Sequence, residues 1–240
     1  MSYPMIPARW RGGTQTDIRR IVIHCTVSPT VVGGAKSVAN YFRTTSRPSS
    51  AHYVVDPSQI VQCVADNVVA YHDGTNSNSI GVELCDMVNG PAARWDSQAH
   101  RDMLTRAAML VASLGFKYKI PLIKINGAQI RAGNKGVCGH VDMRDAFPGR
   151  TSHYDPGPTF PWATFMSMVT TGKGVEDMWP EKLPDYGANM QHPPSADANV
   201  LMAWTIAKVR WIDERTTRME AALGAISNSL KAIHSELEKP

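Results

Sequence analysis

Over its first 170 residues the chain alternates short apolar runs with polar, glycine- and proline-rich breaks, a pattern of strands and helices joined by tight turns. Arg19-Arg20-Ile21-Val22-Ile23-His24 is apolar and β-branched, which predicts a buried strand whose carboxyl end delivers His24 to a loop. A hydrogen-bonded core histidine is the plainer reading of that residue. Ala35 to Thr44 places Val38, Tyr41 and Phe42 on one helical face. His52 to Val55, the turn Asp56-Pro57-Ser58, and Ile60 to Val64 together predict a β-hairpin. Val68 to Gly74 puts Tyr71 and His72 ahead of a glycine turn. Ile80 to Cys85 is a further apolar strand with Glu83 inside it. A carboxylate there is ordinary on an edge strand; on a buried strand its pKa must rise unless a cation pairs with it.

Gln98 to Leu114 has the helical period, and Gly115 is expected to stop it. Ile120 to Ile125 reads as a short strand or the approach to one, Gly133 to Gly136 as a loop leading into Cys138-Gly139-His140, and Ala163 to Val169 as a short helix capped by Pro161-Trp162. Between them, Gly139 to Trp162 carries four prolines, and their density with glycine argues against a regular helix or a central strand. These elements make up a predicted domain over residues 1–171. Residues 172–195, rich in Gly and Pro, read as a linker. Residues 196–240 hold a heptad-like seam through Val209, Ile212, Met219, Leu223, Ile226, Leu230, Ile233 and Leu237. That seam suits either a helix packed on its own domain or a homo-oligomer or partner contact.

Composition narrows the classes. With 43% hydrophobic and 19% charged residues, the 240-residue chain can build a core. Its formal charge of +4 is compatible with acidic polymers, but no Lys/Arg run of the kind expected in a nucleic-acid arm is present. Cys25, Cys63, Cys85 and Cys138 form no CxxC pair and are expected to be reduced, mostly buried thiols. The first residues lack a signal-peptide core, and no stretch approaches the roughly 18 apolar residues of a membrane span. The expectation is a protein made in the cytoplasm.

His24 at a strand end, His140 after a glycine and Asp155 opening Asp155-Pro156-Gly157-Pro158 would together make a catalytic zinc set of two histidines and one carboxylate. Zinc lowers the pKa of water to roughly 7 and acts as a Lewis acid toward a carbonyl. Glu83 is the candidate general base. Eight histidines and many carboxylates permit other triples on spacing alone.

The segments IVIHCTVS, SSAHYVV, VVAYHDG, NSNSIGVEL, GHVDM and SHYDPGPTFPW, in this order, resemble the zinc-dependent type 2 N-acetylmuramoyl-L-alanine amidases, a family related to peptidoglycan-recognition proteins. The resemblance runs from about Arg19 to Thr170. It implies an α/β fold with a central mixed β-sheet, flanking helices and a zinc groove. It implies one zinc ion on His24, His140 and Asp155, with Glu83 activating water. The position two before the third ligand often holds an oxyanion-stabilising lysine; His153 stands there, and an imidazolium could do the same work with a charge that fades as pH rises. Where some relatives carry a tyrosine before the histidine of the SAH-like motif, this chain has Ala51, which favours the glutamate-based branch. Where recognition proteins use a cysteine as third ligand, it has Asp155, so Cys25 and Cys138 are not expected to be ligands. By the same analogy Tyr71, His72 and Asn78 are candidate substrate contacts. The implied reaction is hydrolysis of the bond between N-acetylmuramic acid and L-alanine of peptidoglycan. The implied setting is a phage or prophage endolysin reaching the wall through a holin-type pore. The alternatives are an intracellular muropeptide-recycling amidase and a peptidoglycan-binding protein without catalysis.

Overall fold

Six consecutive buried residues, Arg20–Cys25, form β1, an interior strand covered on both faces, as its uninterrupted apolar run requires. The computed structural model describes residues 3–172. The expectations for the linker and for the helix over 196–240, including self-association through it, lie outside these residues. β1 pairs in parallel with β4 (Ser79–Leu84) on one side and β5 (Gly136–Gly139) on the other. β2 (Tyr53–Val55) pairs in parallel with β4 and antiparallel with β3 (Ile60–Gln62), giving the order β3-β2-β4-β1-β5. This is the mixed sheet with flanking helices that the resemblance implies. The hairpin turn is built as its composition suggests: Asp56 Oδ1 accepts from Ser58 N, Ser58 Oγ and Gln59 N at 2.6–2.9 Å. Its Oδ2 accepts from Ala35 N in the first turn of α1 (Gly34–Thr44), where a carboxylate complements the helix dipole.

Side-chain alternation along β1 separates two cores. Ile21 and Ile23 join the main cluster with Leu104, Leu110 and Val111 of α2 (Gln98–Tyr118) and Phe165 of α5 (Trp162–Thr171). Val22 joins Cys138, Ile130 of α3 (Gly127–Arg131) and Met143 of α4 (His140–Ala146) on the other face. His24, two residues beyond Val22, therefore belongs to the α4 face. All four cysteines are free and buried.

Three expectations need correction. Gly115 does not stop α2; the helix runs to Tyr118 and ends at Lys119, which adopts φ 53°. The glycine makes room for Leu122 beside the helix: a Cβ there would meet the end of the Leu122 side chain, which would have to shift, and would lie 3.2 Å from the Ile120 carbonyl. Residues 120–125 form no strand, only an isolated bridge from Lys124 to Val137. The strand lies beyond α3, at Gly136–Gly139, and its first residue falls in what reads as a loop. Finally, the Gly139–Trp162 stretch does contain a regular helix, α4, because its prolines all lie at or after Pro148 and residues 140–146 have neither proline nor glycine.

Beyond β4, the loop into the 3₁₀ turn Ala92–Asp96 is fixed by a buried ion cluster. Asp86, 2% exposed, receives Arg94 Nε and Nη2 at 3.1 and 2.8 Å and pairs with His100 Nε2 at 2.9 Å. Arg94 also donates to the Met87 and Gly90 carbonyls and to Thr159 Oγ1. Replacing Arg94 by Ala strands a buried carboxylate, and urea denaturation should register a loss near the lower end of the ~3–5 kcal/mol seen when such pairs are broken, since His100 stays.

Candidate metal centre

The side chains predicted to meet do meet. His24 is the fifth residue of β1 and its register partner on β4 is Glu83, so the two candidate side chains rise side by side from adjacent parallel strands. His140 opens α4 immediately after β5. Asp155 arrives from the proline-rich segment, and its backbone carbonyl accepts the Val141 N–H at 3.1 Å, fastening the third residue of the trio to the first turn behind the second.

His24 Nδ1 lies 3.1 Å from His140 Nδ1 and 3.1 Å from Asp155 Oδ2, and His140 Nδ1 lies 3.2 Å from Asp155 Oδ1. Donor atoms around a tetrahedral zinc with bonds of about 2.0–2.1 Å stand about 3.3–3.4 Å apart, so the trio is close to the spacing that ion needs. All three residues are buried, and they form a candidate metal site among the described residues. The protonation states agree. Burial depresses the His24 pKa, assisted by the neighbouring His140, leaving a neutral imidazole able to ligate. Burial alone would raise the Asp155 carboxyl, but contacts with His140 and His24 outweigh it and hold the group below the usual carboxylate range. Each histidine also has a partner for its remote nitrogen: His140 Nε2 is 3.0 Å from Thr151 Oγ1, and His24 Nε2 is 3.0 Å from His72 Nδ1.

Glu83 is different in kind. Its Oε2 is shut off from solvent and has no hydrogen-bond partner, the one carboxylate oxygen so placed among the described residues. Burial, and after it the negative charge of Asp155, push its pKa up to about 8. A cation on the trio would act in the opposite direction and favour the ionised base. His153, with its side chain 58% exposed, stacks on His140 at 4.8 Å between ring centroids and places Nδ1 3.7 Å from Asp155 Oδ1.

These groups lie in a cleft of about 900 Å³. Its walls include Tyr41, Arg47, Tyr71, Met87 and Tyr154. Asn89 and Tyr154 hydrogen-bond at 2.8 Å, linking the loop after β4 to the segment carrying His153 and Asp155. Of the three candidate substrate contacts, Tyr71 lines the cleft and is partly exposed. His72 borders it with a fully enclosed ring. Asn78 does not line it: the residue precedes β4, at the end opposite Glu83, and its carbonyl accepts the Arg19 and Arg20 N–H groups at 2.9 and 3.3 Å. Its role as a substrate contact is therefore dropped. His52, at the start of the predicted hairpin, is wholly buried; Nδ1 accepts the Gly81 N–H at 3.0 Å, so Nε2 carries the proton and meets the Val68 carbonyl at 2.9 Å. Cys138 lies in the second core, and Cys25, although beside the cleft, is not part of the trio. Sequence reasoning missed Thr151, for which no signal exists, and the Asn89–Tyr154 link, whose partners are 65 residues apart.

Residues 14–158 match the N-acetylmuramoyl-L-alanine amidase family known as Amidase_2. The chain belongs to this family. Two curated amidases are similar to it. CwlL of Bacillus licheniformis is 30% identical across 45% of this chain and 32% of its own length. CwlA of a Bacillus species is 32% identical across 42% of this chain and 39% of its own. The chain thus spans well under half of either relative. Among solved structures, a point mutant of PlyL matches with TM-score 0.52 at 19% identity, covering 71% of this chain and 99% of the other. Staphylococcus aureus AmiA in complex with its ligand matches with TM-score 0.51 at 16% identity, covering 74% and 85%. At these identities the likeness establishes a shared amidase fold. No helix among the described residues is long and apolar enough to cross a membrane.

Proposed function

We propose that this amidase-family chain hydrolyses the amide bond between the lactyl group of N-acetylmuramic acid and the first L-alanine of the peptidoglycan stem, with one zinc ion on His24, His140 and Asp155. The observation that carries the reading is the convergence of two imidazole Nδ1 atoms and the two oxygens of one carboxylate, with contacts of 3.1–3.2 Å, beside a buried, unpartnered Glu83 oxygen. A bound zinc ion supplies Lewis acidity toward a carbonyl and makes water acidic enough to act at neutral pH. Glu83 takes the proton from the attacking water and returns it to the leaving amine, a task its carboxylate suits because it borders the cleft and no donor occupies its buried Oε2. His153 presents its exposed imidazole to the carbonyl oxygen as negative charge develops there. Tyr71 and the apolar wall around Tyr41 and Met87 support the substrate on either side of the scissile bond. A wall-lytic role after release from the cell belongs to the same proposal.

Mass spectrometry of purified wall digested with the zinc-loaded chain tests it. Stem peptides with a free L-alanine amino terminus are the expected products. Wall that is bound but yields no such peptide would identify a binding protein instead. The role of His153 has its own check: His153→Ala should lower turnover with zinc still bound, and His153→Lys, which places an ammonium donor at the same position, should restore it. Unchanged turnover in His153→Ala removes His153 from the mechanism.

A further inference from the structure

His72 contributes to neither core by apolar packing and, with its ring enclosed, has no surface to offer a substrate. It stands in a line of polar contacts running inward from His24. His24 Nε2 is 3.0 Å from His72 Nδ1, His72 Nε2 is 3.2 Å from Ser79 Oγ, and Ser79 Oγ is 3.0 Å from Asp73 Oδ2. Asp73 is buried, and its Oδ1 accepts from Thr75 N, Thr75 Oγ1 and Asn76 N at 2.9, 2.8 and 2.5 Å.

The direction of every hydrogen bond in this line follows from its inner end. The Asp73 carboxylate can only accept, so the Ser79 hydroxyl donates to it. Ser79 Oγ is then an acceptor toward His72, whose Nε2 must carry a proton. A neutral His72 with a protonated Nε2 has a bare Nδ1, and only a protonated His24 Nε2 can satisfy it. That leaves His24 Nδ1, the atom facing Asp155 and His140, free of a proton in the neutral ring. The other neutral tautomer of His24 would set two lone pairs against each other at 3.0 Å, whereas the bare Nδ1 facing Asp155 Oδ2 at 3.1 Å is the arrangement that a cation on the trio would complete. From this we infer that His72, Ser79 and Asp73 form a buried relay that positions His24 and fixes its metal-ligating tautomer. The inference rests on the zinc reading given above.

Gly81 supports the arrangement. A Cβ at that position would lie 2.6 Å from His72 Cγ and 2.7 Å from its Nδ1, so the imidazole can lie against β4 only over a glycine.

Zinc affinity of the full chain, measured by competition with a chelating dye, is the test, and it needs no enzymatic activity. His72→Phe keeps an aromatic ring but removes the acceptor, and affinity should fall about 10–100-fold, the range for lost outer-shell partners. His72→Asn, whose Oδ1 can stand where Nδ1 does, should recover most of the loss. Ser79→Ala deletes one oxygen without disturbing the ring and should weaken binding in the same direction; it decides the matter if His72→Phe does not fold. Unchanged affinity in Ser79→Ala and in folded His72→Phe overturns the relay while leaving the amidase reading intact. A native chain that takes up no zinc overturns the metal reading and the relay with it. Nitrogen-15 NMR of the zinc-loaded chain should find the His24 proton on Nε2; a proton on Nδ1 would also overturn the inference.

Discussion

Glu83→Gln is expected to leave zinc bound and to lower turnover of purified wall by about 10²–10⁴-fold, the usual contribution of a positioned general base. Glutamine preserves the shape of the side chain, so β4 and its pairing with His24 should survive. What it cannot do is accept a proton. Zinc content should hold because Glu83 is not among the three converging donors; zinc lost together with activity would make it a ligand and sink the assignment. A second readout comes from the metal-free protein. The folded pKa of about 8 lies above the ordinary value of 4.5, so the folded state holds a proton that the unfolded state releases. Stability attributable to this group is therefore greatest below about pH 4.5 and declines as pH rises to about 8. The glutamine variant should lack that decline in urea denaturation followed across the same range.

Asp155→Ala is expected to weaken zinc binding by well over the roughly 100-fold that bounds outer-shell changes, and to abolish detectable hydrolysis. Its effect on the metal-free fold should also be measurable. The carboxylate meets His24 Nδ1 and His140 Nδ1 and accepts from the Cys25 N–H at 3.4 Å, all in a buried setting. Removing it leaves the buried Cys25 N–H without this acceptor, at a cost of about 1–3 kcal/mol. A variant that titrates with zinc as tightly as the native chain would exclude Asp155 as a ligand.

Much of this site is legible in the sequence because its residues sit in short, strongly patterned segments. The β-branched run before His24 and the Ile-Gly-Val-Glu-Leu run around Glu83 are unmistakable strands, and strands in register bring their ends together. The histidine and aspartate of the third region are recognisable by resemblance, although the helix between them is not. Proline and glycine averaged over Gly139–Trp162 conceal that residues 140–146 are free of both. β5 is equally hard to see: Gly136-Val137-Cys138-Gly139 is half glycine, and it is a strand because β1 offers it a partner. Gly115 illustrates the reverse error, a residue that locally signals a helix end but answers to a side chain packed from outside the helix. His72 and Asn78 are indistinguishable as polar residues flanking one turn. Only the packing of one against β4 and the hydrogen bonding of the other at the strand's far end separate them.

The pairing of His24 with Glu83 across β1 and β4 has a consequence for how this protein tolerates insertions. The spacing between a proposed ligand and the proposed base is set by the roughly 4.8 Å between neighbouring strands, not by the chain that joins them. Residues added to or removed from the loops between Cys25 and Ser79 should leave that spacing untouched. One residue inserted within either strand would turn its proposed ligand or base toward the opposite face.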